Sequence, residues 1–140
     1  MLKILIVDGQ GGGIGRQLIE AIRAAQLPCE ITAVGANTAA TTAMLKAGAD
    51  QGATGENAVA VCVRDADVIA GPVGIAIADS LLGEITPRMA LAVGQSRAKK
   101  LLLPVNHCQN IIVGVNDLSL RALTADAVRL LREMTEEKEG

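Results

Sequence analysis

The chain has 140 residues, half of them hydrophobic, and a formal net charge of −2. This balance excludes a nucleic-acid reader, because no basic stripe exists to replace phosphate counterions, and no apolar run approaches the ~20 residues of a membrane span. It has no Phe, Trp or Tyr, so its core is expected to be Ala, Val, Ile, Leu and Met in close layers, with no ring to stack on a base and no catalytic tyrosine.

Strand and helix alternate along the chain. Leu2–Val7 is an apolar run broken only by Lys3, as expected of a parallel strand buried on both faces. It leads through Asp8 into Gly9-Gln10-Gly11-Gly12-Gly13-Ile14-Gly15, and a helix is expected from Ile14 to about Gln26, with Pro28 just past its end. Strand, glycine turn and helix form the front half of a nucleotide-binding βαβ unit. Glycines lack a Cβ, so an anion can reach the backbone N–H groups, and the helix turns its positive dipole end to the same place. The spacing is not G-x-G-x-x-G, since Ile14 stands where the third glycine would fall. It fits G-x-x-x-G-x-G through Gly9, Gly13 and Gly15, similar to the turn of short-chain dehydrogenases. A phosphate-loop NTPase would require departures at Gln10, Arg16 and Gln17, which is too many.

Glu30–Val34 reads as the second strand, ending in Gly35-Ala36-Asn37. A NAD site places a carboxylate near this strand end to hold the ribose. Asn37 stands there instead, which weakens NAD and leaves NADP, a mononucleotide or another phosphorylated small molecule. Thr38 is expected to cap a helix to about Ala47, stopped by Gly48, and Thr38, Thr41 and Thr42 offer hydroxyls to a phosphate. Ala49–Thr54 is a short strand or turn. Val59, Val61 and Val63 alternate like a strand, but their place ahead of the strand Val68–Ala70 argues for a helix over Ala58–Val63, and the helix is the reading taken.

Gly71-Pro72-Val73-Gly74 is a second glycine-bearing junction, with Pro72 in the first turn of a helix Val73–Leu82 that Gly83 ends. Thr86 and Pro87 cap and open the next helix, to about Val93 or Gln95. Lys99–Leu103 is a strand, Pro104–Asn110 a loop, and Ile111–Val115 a final strand. The last helix is expected between about Ser119 and Glu133, with a charged tail, Thr135–Gly140, that frays. The sum is α/β: one Rossmann-like domain over residues 1–140, three-layered and doubly wound on a mostly parallel sheet.

Ligands of such a fold sit outside the carboxyl ends of the strands. Gly9, Gln10, Gly11, Gly12, Gly13, Ile14 and Gly15 are the candidate anion cradle, with Asn37 and Thr38 beside a ribose. Gly71, Pro72 and Gly74 would close a second wall, and Asn106 the rim, with the loop Thr54–Asn57 alongside. Asp8 beside a phosphate costs energy unless a cation or hydroxyl intervenes; it caps the turn's own N–H groups, holds Mg²⁺, or accepts from a ribose. Glu56 and Glu84 lie in polar turns suited to acid–base work. His107, the one histidine, adjoins Cys108, which is a nucleophile if exposed with a depressed pKa and otherwise a small buried thiol. The catalytic candidates are thus Asp8, Glu56, His107 and Cys108. No metal is expected, because no C-x-x-C or H-x-x-H spacing supplies three or four ligands. Three scattered cysteines suit a reducing cytoplasm, and a chain opening directly on a strand leaves no room for a signal peptide.

Val7–Gly15, Ala43–Ala49, Gly52–Ala58, Gly71–Ile75 and Leu82–Pro87 together resemble a family of short bacterial proteins defined as a domain of unknown function, family 3842. The resemblance covers nearly the whole chain. It implies a cytoplasmic bacterial protein and brings no reaction with it. Three classes of function follow from the residues. One is a sensor or accessory module that binds a nucleotide or phosphorylated small molecule. Another is an NAD(P)-dependent enzyme lacking the short-chain dehydrogenase tyrosine, and the third a structural homo-oligomer with an empty glycine turn.

Overall fold

The structure, a computed structural model, describes residues 1–105 and 109–139. The elements in chain order are β1 (Leu2–Asp8), α1 (Gly13–Ala24), β2 (Cys29–Gly35), α2 (Thr38–Ala47), β3 (Gln51–Thr54) and α3 (Glu56–Cys62). They continue with β4 (Val68–Pro72), α4 (Pro87–Gln95), β5 (Lys99–Leu103) and α5 (Leu120–Glu139). All five strands run parallel in the order β3-β2-β1-β4-β5. The chain winds outward from β1 to β3, then returns to the other side of β1 as β4. The switch point therefore lies between β1 and β4, where open α/β sheets leave a crevice.

Period-two alternation sends β1 to both layers at once. Leu2, Ile4 and Ile6 join α1, α2 and α5 in one core, while Leu5 and Val7 join α3 and α4 in the other. On α1, the stripe Ile14, Leu18, Ile19 and Ile22 is buried, at roughly 1.5–3 kcal/mol per large aliphatic side chain. In the ambiguous valine segment, Val59 and Val63 are buried and Val61 is exposed. That is a helix's i, i+4 pattern, so α3 is a helix as the chain order argued.

Three expectations are corrected. Residues 73–82 do not form an α-helix. Pro72 ends β4, a 3₁₀ turn covers Val73–Ala76, and Asp79, Leu81, Leu82 and Gly83 all take positive φ. The tight loop Asp79–Ile85 is closed by the Asp79 N–H donating to the Ile85 carbonyl at 2.7 Å and the Ile85 N–H to Ser80 at 3.1 Å. It drives Leu81 and Ile85 into the core, and this burial outweighs helix propensity. Ile111–Val115 is not a strand: Ile111 and Val113 are 86% and 94% exposed, and the sheet ends at β5. A parallel strand would need a crossover of about a dozen residues or more, longer than the loop available here. Finally, the charged tail is helical to Glu139. Ser119 caps α5 through Ala122 N–H at 3.1 Å, Thr135 is buried, and Lys138 pairs with Asp67 at 3.1 Å. No helix among the described residues is long and apolar enough to cross a membrane.

Candidate functional site

Asp8 ends β1 and is 3% exposed. One carboxylate oxygen accepts the Gly9 N–H at 2.8 Å and the other the Gly15 N–H at 2.7 Å. Of the three roles open to it, Asp8 fills the capping one. Burial pushes its pKa above the usual carboxylate value; the Gly15, Gly9 and Ile14 N–H groups oppose that rise, and the charge of Glu84 adds to it. The turn closes on itself through Gly12 N–H to the Gly9 carbonyl at 2.9 Å, and α1 starts with Arg16 N–H on the Gly12 carbonyl at 2.8 Å.

The turn's glycines divide into two sets. Gly12 has φ +72°, and a Cβ there would come within 2.8 Å of the Ala40 backbone. A Cβ on Gly15 would press on the Met44 sulfur of α2, and one on Gly9 would stand 2.8 Å from a Glu84 carboxylate oxygen and 3.0 Å from Leu81. The glycines the fold itself needs are thus Gly9, Gly12 and Gly15, a G-x-x-G-x-x-G spacing rather than the expected register through Gly13. Gly11 and Gly13 differ. Among the described residues a Cβ on either meets nothing within 4 Å, and neither has a positive φ. Among the described residues, no partner is found for either N–H. Both glycines face an open cleft of about 440 Å³, walled by Ile14, Gln17, Val105 and Leu120. That volume is in the range of small-molecule sites, roughly 300–1,000 Å³.

Asn37, expected beside a ribose, is the true N-cap of α2, accepting the Ala40 N–H at 2.9 Å; it displaces Thr38, which lies exposed on the helix. Its amide hydrogens go to the Gln10 carbonyl at 2.8 Å and to Glu84 at 2.7 Å. The other Glu84 oxygen accepts the Gln10 N–H at 2.5 Å. Glu84 therefore bridges the glycine turn to the end of β2, a position no sequence spacing signals, since 74 residues separate it from Gln10. Thr41 is no phosphate ligand: it is buried, and its hydroxyl takes the Gly35 N–H at 3.2 Å and meets Thr54 at 2.7 Å.

The expected second wall is closed. Gly71, Pro72 and Gly74 are buried; Gly71 lies directly against the Val7 carbonyl, and Gly74 lies under Ser80. Val105 and Leu120, which the sequence did not single out, wall the cleft instead. Glu56 is turned to α4, accepting the Thr86 hydroxyl at 2.6 Å and lying 3.8 Å from Arg88. Asn106, His107 and Cys108 lie outside the described residues. Burial raises the thiol pKa values of Cys29 and Cys62, and no group of three His, Cys, Asp or Glu side chains suited to a metal occurs among the described residues.

The parallel, doubly wound sheet with a glycine turn after its central strand defines a Rossmann-like α/β protein. Residues 3–136 match the family described as Domain of unknown function (DUF3842), and the chain belongs to that family. No curated protein matches it. Among solved structures it is similar to a dodecameric FMN-dependent UbiX-like decarboxylase from Escherichia coli O157:H7. That similarity has a TM-score of 0.39 and 17% identity, over 94% of this chain and 93% of the other.

Proposed function

We propose that the protein binds a nucleotide or a related phosphorylated small molecule at its glycine turn, as a sensor or accessory module. The observation that carries this reading is the pair Gly11 and Gly13. Neither packing nor backbone conformation asks for glycine at these positions, yet both are glycine, and both border the cleft. Missing side chains there leave room for an anion to approach N–H groups at the positive end of α1. Gln17 supplies a polar contact, and Val105 and Leu120 give apolar walls to an uncharged part of the ligand. A catalytic role draws less support: Asp8 is the ionisable group among the described lining residues, and both its oxygens are already engaged by backbone.

The test begins with the ultraviolet spectrum of freshly purified protein. The chain has no aromatic residue, so a nucleobase band belongs to a bound passenger, and mass spectrometry of the released material identifies it. Ligand-observed NMR then follows with AMP, NADP, FMN and inorganic phosphate. Binding of at least one nucleotide is expected. A blank spectrum together with no binding across the panel at millimolar concentration sinks the reading.

A further inference from the structure

One edge of the sheet holds two unmatched halves of a strand pair. Among the described residues β5 pairs with β4 alone, so its outer N–H and C=O groups are open to another strand. Lys99 and Lys100 guard its start, but Leu101 and Leu102 are uncharged and half-buried. The other half is Ile111–Val115, rich in β-branched residues. Ile111, Val113 and Val115 are exposed, as is Leu118 just beyond them, and so much neighbouring aliphatic surface marks an interaction site. Within the segment one backbone bond holds the chain, from the Val115 N–H to the Ile112 carbonyl at 3.4 Å, so extending it costs little. The halves do not meet within one chain. Residues 104–110 are too few for a parallel crossover. Antiparallel pairing would leave Val115 beside the start of β5, about 17 Å from its end. Residues 116–119 would then have to climb back to Leu120 at the cleft, and fully extended they span about 14 Å.

We infer that Ile111–Val115 of one copy adds antiparallel to β5 of a second copy, exchanged both ways in a closed dimer with Asp117 of each copy beside Arg97 of the other. The register that sets Val113 opposite Leu101 also sets Ile111 opposite Leu103 and Ile112 opposite Leu102. Leu101 and Leu103 belong to the core under α5, and Leu102 to the core under α4, so apolar residues meet on both faces of the sheet. Val115 falls on the aliphatic stem of Lys99. Two residues further on, Asp117 comes beside Arg97. Asp117 is the one charge in the segment, and neither it nor Arg97 has a partner among the described residues. A parallel register would set Asp117 against Val105, so the charges select the antiparallel one. The occupant is a second copy because this chain supplies both the edge and the strand, and both charges. Exchange in both directions leaves no edge open, whereas one-way addition would grow into filaments.

Sedimentation velocity with interference optics suits a chain without aromatic residues. From micromolar to millimolar concentration the wild type is expected to pass from monomer to dimer and to stop there. Val113→Asp changes an exposed position, so it should fold by circular dichroism and weaken the dimer on the order of 100-fold. Asp117→Arg should weaken it about tenfold, since two symmetric pairs are reversed at once. Adding Arg97→Asp to that variant should restore wild-type association. A wild type that stays monomeric throughout overturns the inference; if it pellets with phosphatidylcholine vesicles, the patch belongs to a lipid surface instead. Growth beyond the dimer overturns the closed exchange. So does a dimer indifferent to Val113→Asp or to Asp117→Arg, or an Asp117→Arg defect that Arg97→Asp does not repair.

Discussion

Two glycine-bearing strand ends flank the switch point, and they use their glycines for opposite purposes. After β4, Gly71 and Gly74 are packed against Val7 and Ser80 and buried. After β1, Gly9, Gly12 and Gly15 are likewise hemmed in, but Gly11 and Gly13 open onto a cleft. A glycine count treats both junctions alike. What separates them is whether an added Cβ meets protein or empty space, and only the β1 turn leaves space.

Substitutions to alanine test that division, from the largest expected effect downward. Gly71→Ala forces a methyl against the Val7 carbonyl, backbone that cannot turn aside, and should cost about 3 kcal/mol or more in urea unfolding followed by circular dichroism. Gly12→Ala combines a left-handed residue with the Ala40 backbone contact and should cost about 2 kcal/mol. For Gly15→Ala the obstacle is the end of the flexible Met44 side chain, so about 1–2 kcal/mol is expected. Gly11→Ala and Gly13→Ala should stay within about 0.5 kcal/mol of the wild type or gain slightly. Losses above 1 kcal/mol at both would erase the distinction between the two sets.

The smallest effect is on pH dependence. Asp50 is held below the usual carboxylate value by the Ile31 N–H and by Arg23, and Asp67 by the Lys3 N–H and by Lys138. Their contributions are present above the ordinary value of 3.8 and are lost as pH falls through the lowered ones. Asp8 has the opposite sign: its raised pKa favours the protonated form in the fold, so its term is fully present below 3.8 and is lost as pH rises through the raised value. Urea midpoints measured across the acid range should fall less steeply in Asp50→Asn and Asp67→Asn than in the wild type. An identical acid slope in both variants removes these two carboxylates from the account.

Much of the fold was readable because periodicity and caps carry it. The apolar run of β1, the stripe of α1, and the Thr86-Pro87 start of α4 are all visible in the residues themselves. At Thr86 the hydroxyl does accept the Met89 N–H, at 3.2 Å. Two misreadings share a cause. Val73–Leu82 has helical composition, but burial of Leu81 and Ile85 pulls it into a loop of left-handed residues, and Ile111–Val115 has strand composition without room to return parallel. Tertiary terms decided both. The candidate site was half readable. Local chemistry exposed the turn, the capping option for Asp8 and Glu84 as a polar-turn carboxylate, but no spacing shows that Glu84 reaches the turn, or Val105 the cleft, from loops distant in sequence. Asn37 was placed correctly at the end of β2, while its amide hydrogens prove to be committed to Gln10 and Glu84.

The most direct test is equilibrium dialysis of AMP against the wild type and Gly13→Val side by side. The Cβ of a valine there meets no described residue within 4 Å, and the position borders the cleft. The variant should therefore keep its unfolding midpoint and lose AMP affinity by at least about tenfold, some 1.4 kcal/mol. Equal affinity in the two folded proteins would contradict a ligand site at the turn.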